Sequence, residues 1–132
     1  MTFKRRLAET ATDVERRLAG VLGGGKPFRP FLLVETARLF DVPRAHAVEA
    51  ACALELIHCY SLVHDDLPSM DNDLTRRGQP TVWAAFDEWT AILAGDALLT
   101  LAFEVASDPR CHPNAAVRAD FVTALARASG PA

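Results

Sequence analysis

The stretch HDDLPSMDND, residues 64–73, holds four aspartates in ten positions. Asp65 and Asp66 are adjacent, Asp71 and Asp73 follow, and Pro68 stands between the two pairs. Carboxylates gathered this closely repel one another, and at a helix C-terminus they also oppose the macrodipole. A hard divalent cation removes both penalties, and Mg2+ typically takes one or two carboxylates together with substrate phosphates. Solvated aspartates at a helix end, the plainer reading, leave the repulsion uncompensated. The chemistry expected is the binding of a hard divalent cation such as Mg2+ by these carboxylates, together with a ligand's phosphates.

Spacing constrains how the carboxylates could meet. Asp65 and Asp71 are six residues apart, which on a straight helix is roughly 240° around the axis. Pro68 removes a backbone donor between them, so a bend there could swing Asp71 back beside Asp65. His58 precedes Asp65 by seven residues and shares its helix face. A pocket with His58 deep and the carboxylates at its rim follows.

Two basic segments flank the aspartates. LTRRGQPT (74–81) carries Arg76 and Arg77, whose guanidinium forks match phosphate oxygens; alone, such a pair is usually solvated surface. GVLGGGKP (20–27) formally begins a P-loop, but Pro27 stands where Ser or Thr is needed and no hydrophobic strand precedes it. What survives is a glycine loop that lets the backbone approach an anion, with Lys26 and Arg29 adding charge, or else a simple linker. In AILAGDALLTLAFEV (91–105), Gly95 suggests close helix packing, with Asp96 bonded internally.

The elements that must position these residues read as helices. Leu7, Val14 and Leu18 mark an amphipathic helix over 2–20. GGGKPFRP (23–30) reads as a loop. An apolar helix over 31–40 ends at Asp41 and Pro43. Pro43 can open the next helix, with Asp41 or Val42 near its cap. That helix runs without a breaker to about Pro68 and is largely buried. Residues 72–80 form a polar loop, a helical region in two pieces covers about 81–107, and a last helix covers about 114–128. No strand is expected, so the class is all-α.

Composition narrows the rest. The chain has 132 residues, half of them hydrophobic, enough for one domain with a modest core. A net charge of −3 gives no case for nucleic acid. The apolar runs are too short to cross a bilayer, so no stable membrane insertion is expected. The N-terminus is charged throughout, without the apolar core of a signal peptide. Cys52, Cys59 and Cys111 read as reduced thiols in a cytoplasmic protein.

Taken in order and spacing, GGGKPFRP, ELIHCYSLVHDDLPSMDND, LTRRGQPT and AGDALLTLAFEV resemble the trans-isoprenyl diphosphate synthases. The nearest likeness is to the bacterial farnesyl and geranylgeranyl diphosphate synthases, dense over about 23–107 and weak at the ends. The resemblance implies an all-α, terpenoid-synthase-type helical bundle, usually a homodimer. It also implies a Mg2+-dependent prenyltransferase joining isopentenyl diphosphate to an allylic diphosphate. By the family pattern Asp65 and Asp71 hold the metal with Asp66 in support, and Arg76 binds the allylic diphosphate. Lys26, Arg29, His58 and Arg77 bind isopentenyl diphosphate. Tyr60 lies about 7.5 Å deeper along the helix than Asp65, where a ring beside small Ser61 would floor the pocket for the prenyl tail. With the two-residue-longer aspartate motif, this resembles the short-chain farnesyl enzymes.

Against the same pattern, Pro27 replaces an arginine, and the segment before Gly23 is short enough to suggest an internal deletion. The sequence reaches ASGPA near the middle of a usual member, without a second aspartate-rich motif or the downstream lysine that clamps the allylic diphosphate. Residues 1–132 therefore read as the N-terminal part of an isoprenyl diphosphate synthase domain, truncated to its N-terminal helices. Two other readings start from the same residues. One is a non-catalytic partner subunit of a prenyl synthase. The other is an HD-type metal phosphohydrolase built on His64-Asp65, for which His46, His58 and His112 lack suitable neighbours.

Overall fold

The first described helix begins where a loop was expected. The computed structural model describes residues 28–131 and, ahead of them, residues 2, 5, 8, 9, 12 and 13. Helix α1 spans Phe28–Leu39. Residues 28–30 are thus its first turn, and Pro30 is tolerated there because its missing N–H would lack an intrahelical partner anyway. The glycine loop with Lys26 and most of the helix expected over 2–20 lie outside the described residues. Within that helix, Arg5 pairs with Glu9 at 3.0 Å, and the Thr12 hydroxyl donates to the Ala8 carbonyl at 3.0 Å. Both contacts have the i,i+4 spacing of a helix.

Asp41 ends α1, as expected. Its φ is +56°, its amide donates to Arg38 O at 3.3 Å, and the Val42 amide donates to Ala37 O at 3.1 Å. This is a Schellman closure with a left-handed residue just past the helix, and Asp is one of the few non-glycines that accept the position. Helix α2 then spans Arg44–Asp65, with the Pro43 carbonyl accepting from His46 N and Ala47 N at 3.0 and 3.2 Å.

The chain divides into two units, Met1–Glu55 with Ala102–Ala132, and Leu56–Leu101. In the first, Phe31, Val34, Ala51, Cys52 and Ala102 are buried. Alanines at 47, 51 and 53 on α2 have no bulk to hold a neighbour off, which suits close helix contact. In the second, Leu56, Leu67 and Ala91 are buried.

Between the helices of the second unit lies an element the sequence did not suggest. Strands β1 (Thr75–Arg76) and β2 (Gln79–Pro80) pair antiparallel. Arg77 and Gly78 join them with φ of +53° and +77°, the signs of a type I′ turn. Two-residue strands carry no alternation to read, so this stretch reads only as polar loop. The two helical pieces expected over 81–107 are α3 (Val82–Ala85) and α4 (Glu88–Ser107), the latter capped by the Asp87 carboxylate accepting from Thr90 N at 2.8 Å. Helix α5 spans Ala115–Ser129, capped by Asn114 accepting from Ala116 N at 2.9 Å.

One expectation needs amending. By length and composition α4 could cross a membrane, which no segment was expected to do. Its Ala91, Gly95, Ala102, Val105 and Ala106 are buried while its Asp96 side chain is 62% exposed, so one face of the helix packs into protein and another carries a charge.

Cys111, 6% exposed in the first unit, has its thiol pushed up by burial, with Glu49 and Asp108 adding and Arg118 opposing. The folded chain therefore holds this proton more tightly than the unfolded chain does. That contribution is complete below the unfolded value of about 8.5 and is lost as pH rises above it. In alkylation at pH 8, half-buried Cys59 should react ahead of buried Cys52 and Cys111, and urea should erase the order.

Candidate active site

The aspartate turn is built from the end of α2. The helix stops at Asp65, before Pro68, because the residue ahead of a proline is disfavoured in helical geometry. The chain then folds back. Asp71 N donates to Asp65 O at 2.8 Å, Asn72 N to Leu67 O at 3.0 Å, and Asp73 N to Asp66 O at 3.2 Å. Asn72, with φ +56°, takes the left-handed corner, and buried Leu67 anchors the turn. Asp71 is thus carried back to Asp65 across six residues, by a folded turn after the helix and not by a kink within it. Asp65 is half-buried and Asp71 exposed.

Asp66 is different. Its side chain is 6% exposed, and both its oxygens accept from Arg76. Arg76 Nε reaches Oδ1 at 2.9 Å and Oδ2 at 3.1 Å, and Nη2 reaches Oδ1 at 2.6 Å. The hydrogen bond to Asp66 raises Arg76 above the usual arginine range against a smaller opposing effect of burial, and the charges of Asp66, Asp73 and Asp65 add to the rise. The residue expected to support a metal and the one expected to hold the allylic diphosphate are therefore bound to each other.

The hairpin is fastened to the turn at a second point. The Thr81 hydroxyl and the Trp83 indole N–H both donate to the Asp73 carbonyl at 2.8 Å. Neither residue stood out in the sequence. A threonine followed two places on by a tryptophan is too common to mark a clamp.

The remaining candidates are distributed as follows. His58, Tyr60 and Ser61 lie half-buried on α2 in the second unit, and the Ser61 hydroxyl donates to the His58 carbonyl at 2.8 Å. Tyr60 meets the His64 ring edge-on at 5.8 Å between centroids. Arg77 is exposed at the tip of the hairpin. Arg29 lies in the first unit, on α1, lining an open groove of about 520 Å3 with Leu32, Leu33, Thr36, Ala37 and Leu54.

His64 Nε2 lies 3.0 Å from the Ile92 carbonyl. A carbonyl only accepts, so Nε2 carries the hydrogen, and an HD-type metal centre loses its histidine ligand at that atom. Asp96 is not bonded internally as expected: its side chain is 62% exposed, with Oδ1 3.9 Å from His64 Nε2.

No group of three or more His, Cys, Asp or Glu side chains that could hold a metal occurs among the described residues. That excludes an all-protein cage there. It is compatible with a Mg2+ ion shared between one or two carboxylates and a ligand's phosphates. The donor set, hard oxygens on Asp65 and Asp71, fits that ion.

The polyprenyl synthetase family model matches residues 14–128. The farnesyl diphosphate synthase of Geobacillus stearothermophilus is 51% identical over 111 residues, covering 82% of this chain and 37% of that protein. Geranylgeranyl pyrophosphate synthase 3 of Arabidopsis thaliana is 47% identical over 127 residues, covering 94% and 35%. The chain thus spans little more than a third of these relatives. Among solved structures, an FPP/GFPP synthase from Zymomonas mobilis superposes with a TM-score of 0.92 at 43% identity, covering 96% of this chain and 52% of that one. A geranyltransferase from Legionella pneumophila gives 0.85 at 39%, covering 96% and 50%. With its all-α fold and the family model matching residues 14–128, the chain belongs to the polyprenyl synthetase family.

Proposed function

We propose that this chain is the N-terminal part of a short-chain prenyl diphosphate synthase, condensing isopentenyl diphosphate with dimethylallyl or geranyl diphosphate, most simply to farnesyl diphosphate. The observation that carries the reading is the turn that returns Asp71 to Asp65 beside an arginine hairpin. Asp65 and Asp71 are assigned to the allylic diphosphate through Mg2+, which when bound supplies positive charge to the departing diphosphate. Asp66 keeps the guanidinium of Arg76 oriented, leaving its outer edge for a phosphate oxygen. Arg77, His58, Arg29 and Lys26 are assigned to isopentenyl diphosphate. The allylic carbon–oxygen bond breaks, the isopentenyl double bond attacks the allylic cation, and the departing diphosphate removes the proton. The chain need supply no nucleophile, only fixed charge and alignment. A cytoplasmic homodimer is the proposed setting.

The test is a prenyl transfer assay with Mg2+, isopentenyl and dimethylallyl diphosphates. Farnesyl diphosphate is expected when the chain is joined or complemented by the C-terminal half of a family member. Tyr60→Ala should then shift product toward geranylgeranyl length by removing the ring beneath the tail. Failure to form product even with that half present favours the partner-subunit reading, which predicts a hetero-oligomer in native mass spectrometry. Unchanged product length in the Tyr60 variant removes Tyr60 as the floor of the pocket, and a product other than farnesyl diphosphate from the unmutated chain removes the farnesyl assignment.

A further inference from the structure

His64 is the residue before the first candidate metal ligand, and the reading above gives it no role. Three contacts fix its ring. Nε2 donates to the Ile92 carbonyl of α4 at 3.0 Å. Tyr60, one turn earlier on α2, meets it edge-on at 5.8 Å. The ring also fills the space a side chain would take at buried Gly95, where an added Cβ would overlap the imidazole. Gly95 is in ordinary helical conformation, so its lack of a side chain serves this close approach and not a backbone turn.

We propose that His64 and Gly95 form a latch that positions Asp65: the imidazole, seated in the glycine notch and tied to Ile92, fixes the last turn of α2 against α4. Asp65 follows His64 directly, and its carbonyl is the acceptor that recovers Asp71. The latch therefore sets the point from which the aspartate turn folds back. His64 is a positioning residue, since its donor atom is used on the protein itself. Its role in ligand binding rests on the proposed diphosphate site, whereas its mechanical role does not.

The test uses amide hydrogen exchange followed by NMR on the chain. Loss of the hydrogen bond and the ring packing in His64→Ala should speed exchange at the Asp71 amide roughly tenfold. Ala106, buried in the other unit, should be unchanged. His64→Gln, whose amide can donate to Ile92, should recover part of the protection. Gly95→Ala should resemble His64→Ala, and the double variant should be no worse than either, because both remove one contact. Asp71 exchange unchanged in His64→Ala, a matching rise at Ala106, or additive losses in the double variant would overturn the latch. Calorimetry with Mn2+ and inorganic diphosphate is the second arm, where His64→Ala should weaken binding about tenfold, as loss of a group supporting a metal ligand does. A wild-type chain that does not bind counts against the diphosphate site, while the exchange data still decide the latch.

Discussion

Replacing Arg76 with methionine should lower the unfolding free energy by about 2–3 kcal/mol, read from urea denaturation. Asp66 is the reason. Its carboxylate is 6% exposed, and its hydrogen bonds come from one guanidinium. Removing the cation leaves a buried charge without a counterion, a change that costs about 3–5 kcal/mol at fully enclosed pairs. Arg76 is itself 34% exposed, so solvent screens the pair and the lower figure applies. The reverse substitution, Asp66→Asn, should cost less, about 1 kcal/mol, because the guanidinium can turn to water and keeps one amide oxygen as acceptor. The double variant should be more stable than the sum of the singles implies, since methionine no longer faces a full charge. Additive effects would mean that the pair is ornamental to folding and that Arg76 is held by the Thr75–Pro80 hairpin alone.

The asymmetry among the aspartates is what the sequence concealed. In HDDLPSMDND the four carboxylates are chemically equal, and only tertiary placement separates them. Asp66 faces inward because the turn after α2 folds back over it and delivers Arg76 from the hairpin, ten residues on. Propensity rules do not see that return, because β1 and β2 are two residues each. The long helices were legible for the opposite reason. Arg44–Asp65 has no internal breaker and Glu88–Ser107 only Gly95, and both hold many small apolar residues, so local preference and packing largely agree. Helix ends were less legible. Phe28–Pro30 reads as loop because three glycines and two prolines fall within residues 23–30, yet Pro30 sits harmlessly in a first turn. Gly95 was readable as a close-packing site, but its partner was not, since His64 lies 31 positions earlier and nothing in its surroundings announces the contact.

The second large effect separates chemistry from stability within the same ten residues. Asp65→Asn and Asp71→Asn should each lower prenyl transfer of the completed enzyme by about 10²–10³-fold or more, the range seen when one preorganised electrostatic contact to developing charge is lost. Neither should weaken the fold. Asp71 is exposed and tied to Asp65 through its backbone, which asparagine keeps. Asp65 closes a helix C-terminus where negative charge is unfavourable, so neutralising it is expected to be neutral or slightly stabilising. Asp66→Asn should show the reverse, with a measurable loss of stability and an activity loss carried through Arg76. Steady-state transfer rates and urea midpoints for the three variants decide the matter. If Asp65→Asn unfolds the chain, or if Asp66→Asn is as inactive as Asp65→Asn while fully stable, the division of labour drawn here is wrong, and all three carboxylates belong to the metal.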